Sequence, residues 1–226
     1  MTIRSELGQY GEHETGEQFT RQNAKLLKIE LSVGGVWAQR GSMVAYQGDV
    51  RFENKGAGGL GKFVKKATTG EGAELMFAEG AGELFLADEA KDVHVLYLEN
   101  DQISVNGRNV LAFGDSISWD IERISGGVAG ALAGGLFNMT LTGTGFVAVT
   151  TDGPPVLLDV AEAPTFGDAQ AVVMWSSGVS MQVKTDTGGF KSMVRGGSGE
   201  TIQMAFGGSG WILVQPSEGP PPAATG

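Results

Sequence analysis

The sequence predicts an all-β fold built from three internal repeats around a pseudo-three-fold axis, with short helical turns between strands. Three observations carry that prediction. Gly82, Gly145 and Gly210 lie 63 and 65 residues apart and sit in matching text, "AELMFAEGAGELFLAD", "LFNMTLTGTGFVAVTT" and "TIQMAFGGSGWILVQP". Each copy is an alternating apolar run, a glycine-rich break and a second alternating run, which by period and turn chemistry reads as a β-hairpin. Upstream, "ELSVGGVWAQRGSMVAY", "DQISVNGRNVLAFGDSISW" and "APTFGDAQAVVMWSSGVSMQV" each place a two-residue turn, Gly34-Gly35, Asn106-Gly107 or Gly167-Asp168, before another strand. A glycine-bounded segment joins the two halves of every copy.

Along the chain, residues 1–21 read as an N-terminal segment. They are followed by one triplicated β domain over 22–216, with repeats at about 22–95, 96–160 and 161–216, and by a disordered tail over 217–226. The tail, rich in proline, glycine and small residues, cannot bury enough surface to offset chain entropy. In the first joining segment Leu60, Phe63, Val64 and Ala67 fall at helical spacing, and Phe190, Met193 and Val194 repeat part of the pattern in the third. A short amphipathic helical turn is expected there. In the middle copy Phe146, Ala148 and Thr150 share one face and Val147 and Val149 the other. Both faces are apolar enough to be covered. A period of this length repeated three times favours a closed domain over an open solenoid.

Composition narrows the function classes. The 226 residues carry a formal net charge of −10, which opposes the attraction to phosphates that nucleic-acid binding needs. With no cysteine there is no disulfide, thiolate metal site or cysteine nucleophile. The first twenty residues hold four glutamates and no apolar run, unlike a secretory or transit peptide, and the apolar window "GGVAGALAGGLF" is too short to span a bilayer. A cytoplasmic protein is expected, with peripheral membrane association as the added alternative.

Candidate motifs fail on their chemistry. "GAGGLGKF" over 56–63 fits a phosphate-loop spacing, but Phe63 stands where a hydroxyl must hold magnesium. The overlapping glycines at 56, 58 and 61 lack the strand and long helix that a dinucleotide site requires. His94 lies in an alternating run and reads as a strand residue; His13 lies in an acidic stretch that reads as a mobile polar tail. No nucleophile-elbow pattern accompanies either histidine. Asp88, Glu89, Asp92, Glu99 and Asp101 are explained by a solvated sheet edge without invoking paired-acid chemistry. Trp37, Trp119 and Trp175 occupy corresponding places in the upstream halves and read as core or subunit packing.

The phrase "WAQRGSMVAYQGDVRF" (37–52), the glycine-bounded segments and the closing "GSGWILVQPS" (208–217) resemble the altered-inheritance-of-mitochondria protein 24 family over roughly residues 22–216. The resemblance implies a double-stranded β-helix or β-sandwich similar in fold to the trp RNA-binding attenuation protein, with three related subdomains. It implies no catalytic residues and no cofactor. The family's mitochondrial members are tied to inner-membrane organisation; without a transit peptide this chain resembles a bacterial relative.

The local exception to the acidic average is Lys62, Phe63, Lys65 and Lys66, matched by Phe190, Lys191 and Arg195 in the third copy. A basic turn beside an aromatic suits an acidic protein partner or a membrane surface, against a solvated loop as the plain alternative. The resulting expectation is a non-enzymatic β scaffold or interaction protein that binds itself, as a trimer or larger ring, and an unidentified protein partner, but no nucleic acid. The alternatives are a small-ligand or metal-binding protein or enzyme with a site between repeats, and a peripheral membrane protein.

Overall fold

The computed structural model describes residues 6–53, 75–123, 137–185 and 202–217. The chain enters through a 3₁₀ turn, Glu6–Tyr10, into β1 (Phe19–Asn23), β2 (Leu26–Glu30), β3 (Val36–Gln39), β4 (Met43–Glu53) and β5 (Leu75–Leu86). It continues through β6 (Asp92–Asn106), a second 3₁₀ turn at Gly107–Asn109, β7 (Val110–Gly114), β8 (Ser118–Arg123) and β9 (Phe137–Thr151). The last strands are β10 (Val156–Asp159), β11 (Thr165–Asp168), β12 (Val172–Ser176), β13 (Val179–Thr185), β14 (Ile202–Gly208) and β15 (Trp211–Val214). The protein is all-β, as its alternating apolar runs require.

A large antiparallel sheet runs in the order β1-β2-β5-β3-β7-β9-β6-β12-β15-β10, with β4 added to β5 and β8 added to β9. A smaller sheet has the order β11-β14-β13. One pattern recurs: a short strand, a tight turn and a strand that pairs with a later partner, as β3-β4-β5, β7-β8-β9 and β12-β13-β14.

The glycines that read as hairpin turns are not turns in the first two copies. β5 passes through Gly80 and Gly82, and β9 through Gly143 and Gly145, without reversing direction. Gly80, Gly143 and Gly208 have φ of 140°, 137° and 114°, a backbone conformation that glycine alone adopts readily. In β5 and β9 it bends a continuous strand. Only in the third copy does the run divide, at Ser209–Gly210, into β14 of the small sheet and β15 of the large one.

The upstream turns sit closer to expectation. Gly34-Gly35 separate β2 from β3; Asn106 ends β6 and Gly107 opens the 3₁₀ turn after it, while Gly167 and Asp168 both lie inside β11. The turn moves to 169–171 because the Asp168 carboxylate accepts from the Gln170 and Ala171 amides at 2.7 and 3.2 Å, holding the chain one step later. The joining segments, with the helical turns expected over 60–67 and 190–194, lie outside the described residues.

β9 shows why both faces of these strands are apolar. Ala148 and the half-buried Phe146 pack with Leu27, Ile29, Leu84 and Leu86 in one cluster. Val147 and Val149 pack with Phe113, Met139 and Val173 in another. A third cluster joins the two sheets through Val172, Trp175, Met204, Phe206 and Ile212. The tryptophans are packing residues: Trp37 and Trp119 meet edge to face at 5.8 Å against the second cluster, and Trp175 meets Phe206 at 5.4 Å in the third.

Candidate functional site

Three places gather chemistry-bearing or unpartnered side chains. The first is Lys28. β2 alternates, so Leu27 and Ile29 enter the core and Lys28 faces the other way. It is nonetheless only 3% exposed, because residues 12–14 lie across it. Its ammonium donates to Glu83 at 2.8 Å, to Glu12 at 3.2 Å and to Glu14 at short range. Desolvation pulls the lysine pKa down, but hydrogen bonds to Glu14, Glu83 and Glu12 outweigh it and hold the group charged well above its ordinary range. These carboxylates converge closely enough to ligate a metal, yet the positive charge at their focus is the lysine's own. The arrangement acts as a clamp that fastens the acidic N-terminal stretch to the sheet.

That stretch is therefore not the mobile tail its composition suggests. The His13 amide donates to Gln22 Oε1 at 2.8 Å, and Gln22 Nε2 donates to the His13 carbonyl at 2.7 Å. One glutamine side chain thus serves the backbone as a strand neighbour would. The sheet itself begins at Phe19, within the stretch read as an N-terminal segment.

The second place is a polar set around the end of β9. His94, on β6 as its alternating run implies, bonds through Nε2 to Thr151 Oγ1 at 2.8 Å, and the Thr151 hydroxyl donates to the Gly153 carbonyl at 2.7 Å. The hydroxyl proton is thus committed, so the ring is assigned as the Nε2–H tautomer. Burial lowers the His94 pKa and Arg21 lowers it further, against an opposing pull from Asp92. Asn109 donates to the Thr150 carbonyl at 2.8 Å and to Gln215 Oε1 at 3.3 Å, and Gln215 donates to the Gln170 carbonyl at 3.2 Å. Side-chain amides here tie β15 to β9 and to the β6–β7 turn.

The acidic residues around β6 do not act together. Asp92 pairs with Lys25 at 2.7 Å, and Asp88 with Lys91 at 2.7 Å and with the Thr150 hydroxyl at 3.2 Å. Asp101 takes the Gln102 amide at 2.7 Å, while Glu89 and Glu99 are exposed. Each has its own partner or solvent, as a polar sheet edge provides.

The third place was missed by motif reading because it holds no reactive group. β4 and β10 are edge strands of the large sheet; among the described residues β4 pairs only with β5 and β10 only with β15. Val44, Tyr46, Val156 and Leu157 are 57%, 52%, 58% and 60% exposed. The sequence signal was present: neither 43–48 nor 153–158 contains a charged residue. The candidate contacts Lys62, Phe63, Lys65, Lys66, Phe190, Lys191 and Arg195 lie outside the described residues.

The family described as Mitochondrial biogenesis AIM24 matches residues 18–217, nearly the whole chain. The chain belongs to the AIM24 family. The match begins one residue before β1 and ends just after β15, so it spans every strand of the fold. Among solved structures, this AIM24 chain is similar to a crystal structure of a Streptococcus pyogenes protein, with 28% identity and a TM-score of 0.68, over 87% of this chain and 91% of that one. Comparison with curated proteins gives no match. Among the described residues no helix is long and apolar enough to cross a membrane.

Proposed function

We propose that this AIM24 chain is a non-enzymatic β scaffold that works by binding copies of itself and a further protein partner. The single observation that carries the reading is the exposure of apolar side chains on β4 and β10, two strands that among the described residues pair on one side only. A sheet edge offers unpaired N–H and C=O groups, and soluble proteins ordinarily guard it with charge or cover. The polar groups that could suggest chemistry have structural tasks instead. Lys28 holds the N-terminal stretch, and His94, Asn109 and Gln215 hold chain crossings.

The same reading takes the three recurring strand groups as copies of one unit about a pseudo-three-fold axis, in a double-stranded β-helix or sandwich of the trp RNA-binding attenuation protein type. The positive-φ glycines at 80, 143 and 208 support it, being spaced like the sequence repeat. A trimer or larger ring is the assembly proposed. Analytical ultracentrifugation of the purified full chain across a wide concentration range tests the proposal. A mass that rises to a defined oligomer is expected, and a monomer at every concentration would sink self-association.

A further inference from the structure

We infer that Gln22, Lys28 and Gln47 form a binding site for an extended acidic peptide of the form Glu-x-Glu, filled in this structure by the chain's own residues 12–14. Such a site would receive the further protein partner proposed above, and that role rests on that reading. Glu12 and Glu14, two residues apart in a segment with neither helix nor strand, both reach the Lys28 ammonium, as alternate side chains of an extended chain can. Between them the His13 main chain is held at both its polar groups. Its N–H donates to Gln22 Oε1 at 2.8 Å, and its carbonyl accepts from Gln22 Nε2 at 2.7 Å. A side-chain amide paired in this way reads main chain and not side chain, so the middle residue is free in identity. Gln47 Nε2 adds a bond to Glu12 Oε1 at 3.1 Å.

The receiving groups belong to the sheet, Gln22 on β1, Lys28 on β2 and Gln47 on β4, so they stay in place when residues 12–14 leave. Lys28 then keeps Glu83 of β5 at 2.8 Å, and emptying the site strands no unpaired charge. The strap itself is lightly held. Every residue from 6 to 17 is exposed, and among the described residues the first main-chain bond to the sheet is the one the Gln18 carbonyl accepts from the Glu30 N–H at 2.9 Å. Release therefore costs polar contacts but no apolar burial, the condition under which a segment opens locally while the rest of the fold stays closed.

The chemistry of the contacts selects the occupant. Two bonds to one residue's main chain require a peptide rather than a free anion, and a lysine ammonium at their side requires acids. The net charge of −10 does not oppose this, because the strap being displaced carries Glu6, Glu12, Glu14 and Glu17. Like charge is exchanged at the face and not added to it. The tethered strap competes at high effective concentration. A partner therefore binds only in the fraction of molecules whose strap is open, and its apparent affinity falls by that fraction.

The test uses the full-length protein and a fluorescein-labelled peptide of residues 9–17, QYGEHETGE, read by fluorescence anisotropy. Glu12→Gln together with Glu14→Gln loosens the strap and leaves Gln22, Lys28 and Gln47 intact, so this double variant should bind the peptide about tenfold more tightly than wild type. Lys28→Met also frees the strap but removes the reader, and should bind no better than wild type. A peptide carrying the same two glutamine substitutions should bind none of these proteins. Circular dichroism checks folding; if Lys28→Met unfolds, Gln22→Ala added to the double variant takes its place and should abolish the gain. A double variant that ignores the peptide, equal binding of the glutamine peptide, or a gain that survives loss of Lys28 or Gln22 each overturns the site. Ultracentrifugation of the same samples keeps the two readings apart. A chain that oligomerises yet takes no peptide loses the site and keeps self-association, and a monomer whose double variant gains peptide binding keeps the site and loses self-association.

Discussion

Tyr46 and Phe52, six residues apart on one strand, meet edge to face with ring centroids 5.6 Å apart. A straight strand rises roughly 3.3 Å per residue and would separate them by about 20 Å, so β4 is folded sharply along its length. The bend lies between them at Gly48, φ 78°, which pairs across with Gly82, while Val50 pairs with Gly80. A Cβ at Gly80 would stand 2.0 Å from the Asp49 carbonyl oxygen, and one at Gly82 would stand 2.2 Å from that of Gln47. The glycines are there because the bent ribbon brings backbone onto backbone.

Gly80→Ala should therefore cost on the order of 3 kcal/mol, since it adds both a side-chain clash and a disfavoured φ. Gly207→Ala, in β14 with nothing within 4 Å of its added methyl, should change stability by about 0.5 kcal/mol or less. Urea unfolding of the two variants beside wild type checks the contrast. Equal effects would show that the bend does not need glycine.

The turn between β5 and β6 makes the opposite prediction. Glu89 and Ala90 have φ of 45° and 59°, the left-handed region where a Cβ is disfavoured, and the Lys91 amide closes the turn on the Asp88 carbonyl at 2.8 Å. Ala90→Gly should raise stability by about 0.5–1 kcal/mol, because relief of the backbone outweighs the added chain entropy. A lowered melting temperature would contradict this.

The Lys28 clamp should respond unequally to its acids. Glu12 and Glu14 are 43% and 67% exposed, so removing either charge alone, as Glu12→Gln or Glu14→Gln, should cost under about 1 kcal/mol. Replacing all three, with Glu83→Gln included, leaves a buried ammonium without a counter-charge and should cost about 3–5 kcal/mol. Lys28→Met should free residues 12–14 for limited proteolysis while the sheet stays folded. Because the Lys28 pKa is raised on folding, its contribution is complete below the ordinary lysine value of 10.5 and is lost as pH rises towards the higher folded value. A clamp lost near neutral pH would refute that sign.

His94 has the reverse linkage. Its folded pKa lies below the ordinary 6.5, so the unfolded chain binds the proton more readily. Stability from the neutral ring is complete above pH 6.5 and declines as pH falls towards the folded value. His94→Gln should flatten that part of the stability curve, read by melting temperature between pH 7.5 and 5. A variant as pH-sensitive as wild type would place the acid response elsewhere.

Strand character, the recurring glycines and the two-sided apolar pattern of β9 were written in the sequence, because side-chain alternation and conformational freedom are local properties. The same glycines did not say whether the chain turns or bends. Both need the same backbone dihedrals, and the choice at Gly80, Gly143 and Gly210 was made by the strands that pair on either side. Nothing in the local sequence of β2 marks Lys28 as buried; it is covered because Gln22 holds His13, and Glu12 and Glu14 meet its ammonium. Val156 and Leu157 are as apolar as Val147 and Val149, yet the first pair is exposed and the second buried. Burial depends on which strand lies next to which, and that neighbour relation exists only once the chain has folded.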